Sequence, residues 1–453
     1  MHLMKIQELI SPLDNRYNLK IEDLANNFSE TNLNKTRFEI EIEWIIFLCT
    51  HGGKSFKPLS ASAKNNLFKI KNSFNLKSSK RIKSIESRTN HDVKAVEYFI
   101  REEMKRFPNL SKYEYLVHYA LTSEDINSLS YAVLIGKAKD IYLKKLDILI
   151  KDLKSKSRSW ASLPLLARTH GQAASPSTLG KEFKVFYQRL LRQKDILKTM
   201  RPLAKFGGAT GNFHTLELTD PKINWLNKTN KFLSSFGVEQ NPITTQIEPH
   251  DGIAEIAHCI QRINNIAIDL DQDLWMYISN DLFKLKLKDG EIGSSTMPHK
   301  VNPIDFENSE GNLGISNSLM GFFAEKLPKS RLQRDLSDST VLRNIGMGFA
   351  YSYLGLTSCL SGLNKIQPNK EKAIHELSSN WQVLSEAIQI VMKIEGYDNA
   401  YEEIKKLTRG KTINKDSYHE LVENLKISRT SKNKLKKLTP ATYLGIASKL
   451  AKS

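Results

Sequence analysis

The stretch DGIAEIAHCIQRINNIAIDLDQDLWMYISNDLF, residues 251–283, decides the fold class. It contains no proline, and its only glycine, Gly252, lies near its start. Its apolar side chains recur every three or four positions, as on one face of a helix: Ile253, Ile256, Ile260, Ile263, Ile266, Leu270, Leu274 and Tyr277. A helix of this length would span roughly 50 Å. So long a helix needs neighbours along its whole length to be stable.

Four further patterns of the same kind predict long helices over residues 123–160, 176–197, 303–327 and 339–363. Thr122, with Asp125 three residues later, resembles a capping box with a shorter acid. Ser175 and Pro176 suit the N-cap and the first position of the second helix. Five such helices in succession predict an all-α fold with a central long-helix bundle that other subunits complete.

The regions on either side of the bundle also have helical patterns, with shorter helices. We expect an N-terminal helical domain over residues 1–111, the bundle over residues 112–365 and a small C-terminal helical domain over residues 366–453. Strand-like alternation is scarce, and only short pieces near residues 202–218 look extended or irregular. Because 40% of the 453 residues are hydrophobic, the chain can bury a large core.

The sequence predicts a soluble, cytoplasmic protein. Its longest apolar run, residues 44–49, is far shorter than the roughly 20 residues of a membrane span. The N-terminus has no apolar region of signal-peptide length. Cys49, Cys259 and Cys359 lie in apolar, helix-like contexts without metal-ligand spacing, which is typical of buried thiols in a reducing compartment.

The formal net charge of +18 raises nucleic acids and anionic small molecules as partners. Residues 54–83 contain nine Lys or Arg, no Asp or Glu, and the aromatic residues Phe56, Phe68 and Phe74. Such a segment could bind RNA by stacking and charge. Because no RNA-binding motif accompanies the charge, we favour a solvated helical surface.

The loop between the third and fourth long helices, GSSTMPHKVNP at residues 293–303, is rich in groups that handle protons. Removing a proton from a carbon beside a carboxylate creates an enolate-like anion, which a lysine and an amide donor can stabilise. Such a reaction also needs a base. His299 is the obvious candidate on intrinsic pKa, whereas Ser294 or Ser295 would need neighbours that stabilise an alkoxide.

Four other segments carry candidate residues, and each has a simpler structural interpretation. ARTHGQ places His170 before the second long helix. TNHDVKAVEYF holds His91 and Asp92, of which Asp92 is readily explained as an N-cap. The hydroxyls of LTSEDIN could likewise be only caps. QRDLSDSTVLR could bind a phosphate or carboxylate through two arginines and a serine, or it could be only a polar loop between two helices.

Together these motifs resemble a known family. SSTMPHKVNP, residues 294–303, resembles the active-site loop of the fumarase/aspartase superfamily. SPLDNRY, TNHDVKAVEYF, LTSEDIN, RTHGQ, TTQIEPHDG and QRDLSDSTVLRN are similar to motifs of the adenylosuccinate lyase family, in its longer bacterial form. The likeness runs from Ser11 to Lys411.

The resemblance implies a C–N lyase that releases fumarate by β-elimination. Adenylosuccinate would give AMP, and the succinylated aminoimidazole carboxamide ribotide (SAICAR) would give the free carboxamide ribotide (AICAR), both in purine biosynthesis. Neither reaction requires a metal or organic cofactor. The family also implies a three-domain, homotetrameric fold in which each active site draws segments from three chains.

The resemblance also assigns roles to residues. Ser294 would be the general base, in preference to His299, and His170 the general acid. The residues that hold the succinyl part would be Lys300, Asn302, Thr122, Ser123 and Gln246. Those that seat the nucleotide would be Arg16, Tyr17, Asn90, His91, Asp92, Arg334, Ser339 and Arg343. The loop would act as a lid that carries the base to residues of neighbouring subunits.

Two alternatives remain open. One is another fumarate-releasing lyase of the superfamily, such as argininosuccinate lyase, fumarase or aspartase. The phosphate-binding candidates, together with RYNLK at residues 16–20, favour a nucleotide substrate over these. The other alternative is a non-catalytic, basic RNA-binding or structural helical protein, against which the intact set of site motifs argues.

Overall fold

The computed structural model describes residues 9–286, 297, 299–410 and 413–453, and these are mostly helical. The α-helices are α1 (Glu22–Phe28), α2 (Glu30–His51), α3 (Ala61–Asn72), α4 (Leu76–Thr89), α5 (Asp92–Met104), α6 (Ser123–Ser159), α7 (Leu179–Thr199), α8 (His214–Thr219), α9 (Trp225–Ser234), α10 (Asp251–Ser279), α11 (Ile304–Lys326), α12 (Ser337–Leu342), α13 (Ile345–Lys365), α14 (Lys370–Ser378), α15 (Ser385–Ile394), α16 (Ala400–Thr408), α17 (Lys415–Asn424), α18 (Arg429–Lys436) and α19 (Ala447–Lys452). The all-α prediction is therefore confirmed, and α6, α7, α10, α11 and α13 are the predicted long helices.

The strands of the described residues are short. They are β1 (Pro164–Leu165), β2 (Arg168–Thr169), β3 (Gln172–Ala173), β4 (Ser177–Thr178), β5 (Leu203–Ala204), β6 (Glu239–Gln240), β7 (Phe283–Leu285) and β8 (Ile366–Pro368). They form two-stranded pairs: β1 with β4, β2 with β3 and β7 with β8 run antiparallel, and β5 with β6 runs parallel. None builds a larger sheet among the described residues.

Two predicted helix boundaries are wrong because strand pairing competes with the helix. The second long helix begins at Leu179 and not at Pro176, since residues 177–178 pair with β1. The hydroxyl of Thr178 accepts a hydrogen bond from the Lys181 backbone nitrogen (3.2 Å), so Thr178 takes the capping role predicted for Ser175. The third long helix ends at Ser279 and not near Phe283, which lies in β7.

The fifth predicted helix is interrupted between α12 and α13. Close packing follows the interruption: a Cβ on Gly346 would lie 2.7 Å from the Phe28 side chain, and one on Gly348 would lie 2.9 Å from Met320. Glycine at these positions therefore lets α13 approach its neighbours.

The chain divides into two compact units, each built from three segments. Unit 1 comprises Met1–Lys145, Gln193–Asn264 and Gly311–Gly355, and unit 2 comprises Leu146–Arg192, Asn265–Glu310 and Leu356–Ser453. Each long helix contributes residues to both ranges. The three-domain division at residues 111 and 365 stays a prediction.

In unit 1, aromatic rings form the centre of the main apolar cluster. Trp44 of α2 is fully buried, and its ring centroid lies 5.0 Å from that of Phe206 and 5.0 Å from that of Phe232. The Trp44 indole nitrogen donates to the Tyr119 carbonyl oxygen (3.0 Å). This bond satisfies the polar atom of the buried ring and fixes the segment that leads into α6.

A buried polar network crosses the long helices of unit 1. The Asn264 amide nitrogen donates to the Ser316 hydroxyl (3.0 Å), and the Ser352 hydroxyl donates to the Asn264 amide oxygen (2.5 Å). Ser352 also contacts the Tyr142 hydroxyl at 2.9 Å. These side chains come from α10, α11, α13 and α6, so their hydrogen bonds fix the axial register of four helices.

Unit 2 has its own apolar core, in which α14 to α18 pack around Trp381, Leu384 and Tyr418. Among its long-helix residues, Asp271 is 1% exposed, and neither carboxylate oxygen has a hydrogen-bond partner among the described residues. Burial raises the pKa of Asp271 to about 8, although the facing Ser309 hydroxyl and Cys359 thiol lower it.

The aromatic residues of the basic stretch pack inward. Phe56 is 3% exposed in the main cluster of unit 1, and Phe68 and Phe74 pack against that cluster. Part of the charge is also neutralised, since Lys71 pairs with Glu43 at 2.5 Å. These rings are therefore not free to stack on nucleic-acid bases.

Among the described residues, no helix is both long and apolar enough to cross a membrane. The three cysteines are buried and unpaired with one another, as the sequence predicted.

Candidate active site

His170 occupies the tip of a hairpin in unit 2. β2 and β3 pair so that His170 and Gly171 form a two-residue turn, and both have positive φ, 54° and 74°. Such turns require left-handed backbone at both central positions, which glycine adopts freely and histidine tolerates. The imidazole is exposed at this tip. A short, paired turn holds its side chains more firmly than a long loop would.

Ser123 begins α6 and Thr122 directly precedes it, in a turn that a buried ion pair anchors. The Thr122 backbone nitrogen donates to Asp125 Oδ2 (2.8 Å), which is one half of the predicted capping box. Asp125 Oδ1 lies 2.6 Å from the Lys205 ammonium, and both side chains are fully buried. The Gly208 backbone nitrogen donates to the same carboxylate (3.2 Å). With several donors satisfied, this buried carboxylate holds the hydroxyl-bearing turn in one geometry.

The segment before this turn is held by a second buried carboxylate. Glu41 of α2 lies 2.6 Å from the His118 ring nitrogen Nδ1 and accepts a hydrogen bond from the His118 backbone nitrogen (3.0 Å). Burial alone would lower the pKa of His118, but the Glu41 carboxylate outweighs it and raises the pKa overall. His118 has a left-handed backbone, with φ of 61°. The contact therefore fixes an unusual turn close to Thr122.

Asp92 joins two arginines at the start of α5. Its Oδ2 atom accepts from Arg37 (2.9 Å) and from Arg343 (2.8 Å), and its Oδ1 atom accepts from the Val93 backbone nitrogen (2.8 Å). Burial opposes ionisation, but these partners lower the pKa of Asp92 overall. The N-cap prediction for Asp92 is wrong: His91 is the N-cap and accepts from the Lys94 backbone nitrogen through Nδ1 (3.2 Å).

Asn90 and His91 lie directly before this carboxylate. Asn90 ends α4 with a left-handed backbone, φ of 50°, and its nitrogen donates to the Glu86 carbonyl oxygen (2.7 Å). Both side chains are exposed. The three-residue junction of α4 and α5 thus presents an amide, an imidazole and a carboxylate.

Arg334 and Gln246 meet at the edge of a cavity of about 450 Å³ in unit 1. Arg334 donates to the Gln246 amide oxygen (3.2 Å), and the Gln246 amide nitrogen donates to the Ala209 carbonyl oxygen (3.0 Å). The same guanidinium lies 3.0 Å from Glu124 Oε2. Because Glu124 follows Ser123 directly, this ion pair brings Arg334 to the start of α6.

Glu124 is 2% exposed and belongs to a buried charged cluster. Burial raises the pKa of its carboxyl group to about 7, although Arg334 opposes the shift. Asp338 lies 3.8 Å from Arg334, and His250 Nε2 lies 3.8 Å from Asp338. Despite its burial, Asp338 keeps a pKa below the usual value because His250 and Arg334 stabilise its charge.

The remaining predicted residues of unit 1 occupy two other places. Ser339 lies in the first turn of α12, half-buried, next to Asp338. Arg16 is exposed in a turn, with its guanidinium 5.8 Å from the Tyr17 ring. Tyr17 packs on the small cluster formed by Leu13 and Ile21 with residues of α13.

Lys300 and Asn302 lie just before α11 in unit 2. Lys300 is exposed, and its backbone nitrogen donates to the Met297 carbonyl oxygen (3.1 Å). Asn302 is half-buried next to the start of the helix at Ile304. Ser294 and Ser295 lie outside the described residues, and His299 is described as part of a turn.

The structure therefore brings four of the predicted residues of unit 1 together in two clusters: Asp92 with Arg343, and Gln246 with Arg334. Tyr131 of α6 lies within electrostatic reach of Arg343 and Asp92 of the first cluster. It is also within reach of Glu124, the partner of Arg334 in the second cluster. The sequence reasoning missed the buried partners Arg37, Glu124 and Asp338. The only signal for Glu124 was its position beside Ser123. Among the described residues, no group of three or more His, Cys, Asp or Glu side chains could hold a metal ion.

Comparison with known proteins identifies the family of the chain. A family model described as lyase matches residues 15–318, and a model described as adenylosuccinate lyase C-terminal matches residues 330–444. Two solved structures have the same fold: a fumarate lyase from Mesorhizobium sp. BNC1 (TM-score 0.77, 16% identity, 95% of this chain and 96% of that one) and a 3-carboxy-cis,cis-muconate lactonizing enzyme from Pseudomonas putida (TM-score 0.73, 18% identity, 94% of each chain).

Among curated relatives, the adenylosuccinate lyase of Buchnera aphidicola subsp. Schizaphis graminum is 48% identical over 443 residues, 97% of both chains. That of Escherichia coli K12 is 45% identical over 440 residues, 97% of this chain and 96% of the relative. That of Haemophilus influenzae is 46% identical over 443 residues, 97% of both chains. Since these similarities extend over nearly the whole length and both family models match, the chain belongs to the adenylosuccinate lyase family.

Proposed function

We propose that this protein eliminates fumarate from adenylosuccinate to give AMP, and from SAICAR to give AICAR, in purine biosynthesis. The observation that carries the proposal is the similarity, over nearly the whole chain, to relatives named adenylosuccinate lyase. The arginines of unit 1 add chemical support. Arg334 and Arg343 are held next to the predicted succinyl and nucleotide residues, where a polyanionic substrate needs cations.

In the proposed reaction Ser294 removes the Cβ proton, and the electron pair moves to form the carbon–carbon double bond of fumarate. The C–N bond breaks, and His170 donates a proton to the departing nitrogen. The exposed position of His170 on a two-residue turn suits a group that must reach substrate. The assignment of Ser294 as the base is supported only by its position in the family loop pattern.

The carboxylates of the succinyl group need hydrogen-bond donors that stabilise the negative charge that develops when the Cβ proton is removed. We assign this role to Lys300, Asn302, Thr122, Ser123 and Gln246. The start of α11 at Ile304, two residues after Asn302, adds its positive dipole end. The fixed turn at Thr122 means that its hydroxyl and that of Ser123 need little rearrangement, and preorganised donors contribute more than mobile ones.

The nucleotide part needs cations for the phosphate and polar groups for the ribose. We assign this role to Arg16, Tyr17, Asn90, His91, Asp92, Arg334, Ser339 and Arg343. Asp92 would both hold Arg343 in place and offer acceptor capacity to ribose hydroxyls. His91, exposed at the N-cap of α5, lies directly beside it.

We further propose a cytoplasmic homotetramer in which active sites are shared between subunits. Long-helix residues with exposed apolar side chains support an oligomer: Trp275 and Met276 of α10 are 42% and 54% exposed, and Phe322 of α11 is 52% exposed. The free, buried cysteines suit a reducing compartment.

A substrate panel tests the proposed function. Purified protein is assayed for fumarate release from adenylosuccinate and argininosuccinate, for fumarate formation from malate, and for ammonia release from aspartate. We expect turnover of adenylosuccinate with kcat/KM at least a hundredfold above that for the others. Turnover of one of the other three without turnover of adenylosuccinate would replace this proposal with the corresponding superfamily activity.

A further inference from the structure

Glu124 lies at the centre of the buried charged cluster of unit 1 and faces groups from several elements. Arg334 and Asp338 belong to the segment around α12, and His250 is the residue directly before α10. Lys205 follows β5 and is paired with Asp125 on the same turn as Glu124. Tyr131, two turns further along α6, also lies within electrostatic reach.

The charges of this cluster do not balance. Lys205 is neutralised by Asp125, which leaves the carboxyl groups of Glu124 and Asp338 against the single guanidinium of Arg334, with His250 able to add a charge when protonated. His250 in turn lies 3.7 Å from Glu248, whose oxygens accept from Asn241 (3.0 Å) and from the His250 backbone nitrogen (2.8 Å). A buried region with excess negative charge favours the uptake of a proton by its least satisfied carboxylate.

Glu124 is that carboxylate. Its Oε2 atom pairs with Arg334, but its buried Oε1 atom accepts no hydrogen bond from any described residue. Asp125, by contrast, accepts from two backbone nitrogens and pairs with Lys205. Asp338 accepts from the Ser339 backbone nitrogen (2.8 Å) through Oδ1. Its Oδ2 atom also has no hydrogen-bond partner among the described residues, but it lies 3.8 Å from His250 Nε2, which stabilises its charge. Neutralisation therefore costs least at Glu124.

Arg334 also lines a cavity from which a ligand can approach its side chain. Its Nε atom is buried without a hydrogen-bond partner among the described residues, and its side chain, 15% exposed, lines the cavity that Gln246 also lines. An anionic group that binds Arg334 from this cavity would add negative charge beside Glu124. Two anions sharing one guanidinium in a buried site repel each other, and a proton on Glu124 removes the repulsion.

We propose that Glu124 is a proton-linked positioning residue, which holds Arg334 as an ion-pair partner in the unliganded site and takes up a proton from solvent when an anionic group of the nucleotide binds Arg334. The inference rests on the proposed function, in which Arg334 contacts the nucleotide. Glu124 itself does not touch substrate. It keeps the guanidinium aimed at the cavity in the absence of ligand and then gives up its charge.

Calorimetry of AMP binding tests this inference. Titrations at pH 7.5 in buffers of different ionisation enthalpy give the number of protons taken up, for the wild type, Glu124→Gln and Asp271→Asn. Glutamine imitates the protonated carboxyl group. We expect the wild type to take up a substantial fraction of one proton more than Glu124→Gln, because the proton changes of AMP itself are common to both. Asp271→Asn, which removes a buried carboxyl group of unit 2, should match the wild type.

The pH dependence gives a second readout that a merely structural role would not change. Above pH 7 the AMP affinity of the wild type should fall by up to tenfold per pH unit relative to Glu124→Gln, the limit for one linked proton. The KM for adenylosuccinate should lose the same pH dependence in Glu124→Gln, while the pH profile of kcat keeps its wild-type shape. Equal proton uptake and equal pH dependence in the two proteins would overturn the inference.

Two further measurements separate the possible failures. If Glu124→Gln does not fold, the wild type alone is titrated at pH 8, where AMP is already fully ionised and contributes little. Absence of proton uptake there contradicts the inference. If Arg334→Ala binds AMP as tightly as the wild type, Arg334 does not contact the nucleotide, and the inference is overturned. Turnover of adenylosuccinate by the wild type would still support the proposed function in either case.

Discussion

Arg343 and Asp92 are 251 residues apart in the sequence, yet the Arg343 guanidinium donates to Asp92 Oδ2 at 2.8 Å. The buried Arg37 guanidinium donates to the same oxygen at 2.9 Å. One carboxylate thus ties a substrate-binding candidate to the core of unit 1. Both the stability of this unit and the position of Arg343 depend on it.

We predict that Asp92→Asn weakens both properties. Arg37 is 1% exposed and would lose its charged partner, which costs about 3 kcal/mol for a buried pair. The KM for adenylosuccinate should rise at least tenfold because Arg343 is no longer held. Chemical denaturation and steady-state kinetics measure the two effects. Glu102→Gln, which removes the exposed partner of Arg81, is the matched control and should change neither.

The same carboxylate predicts part of the acid sensitivity. The pKa of Asp92 in the folded protein lies below its usual value of 3.8, so its contribution is present above pH 3.8 and is lost as the pH falls through the lowered pKa. The difference in unfolding free energy between the wild type and Asp92→Asn should therefore shrink in acid. A constant difference from pH 6 to the acid transition would contradict this account.

His170→Ala should separate catalysis from stability. Because the imidazole is exposed on a hairpin tip, its removal should leave the melting temperature nearly unchanged. Turnover should fall a hundredfold or more if His170 donates a proton in the reaction. His375→Ala, which removes an exposed histidine of α14, serves as the control and should keep full activity. A comparable loss in both variants would argue against a specific role for His170.

Asp271→Asn should stabilise the protein at neutral pH. The pKa of Asp271 is raised to about 8 by burial, so the folded state keeps its proton between pH 4 and 8 while the unfolded state loses it. Stability therefore falls as the pH rises through this window, by up to about 1.4 kcal/mol per pH unit. Denaturant titrations at pH 5 and pH 8 should show this slope in the wild type and a weaker slope in the variant.

The raised pKa of His118, close to the turn at Thr122, predicts the opposite dependence of stability on pH from that of Asp92. The pKa of His118 in the folded protein is raised above 6.5 by Glu41, so its contribution is complete below pH 6.5 and is lost as the pH rises through the raised pKa. His118→Asn should cost about 3 kcal/mol at pH 6, since it leaves the fully buried Glu41 without its charged partner. A smaller loss at high pH, measured by denaturation, is expected; an equal loss at both pH values would be evidence against the ion pair.

The sequence predicted the long helices because their periodicity is local and repeats over many turns. It placed the start of the second long helix at Pro176 and the N-cap of α5 at Asp92, and both placements are wrong for a different reason. Residues 177–178 pair with β1, and the Asp92 side chain pairs with Arg37 and Arg343 while His91 caps the helix. Such long-range contacts produce no periodic pattern in the sequence. The family motifs supplied most of the candidate residues, but they did not indicate that Arg334 is paired with Glu124 or that Asp338 lies beside it.

The central claim is that this chain cleaves the C–N bond of adenylosuccinate with Ser294 and His170 as base and acid. The most direct measurement is chromatographic quantification of AMP and fumarate after the purified wild type, Ser294→Ala and His170→Ala are incubated with adenylosuccinate. We expect equal amounts of the two products from the wild type and at least a hundredfold slower formation in each variant. Absence of AMP and fumarate with the folded wild type, or undiminished rates in both variants, would contradict the account.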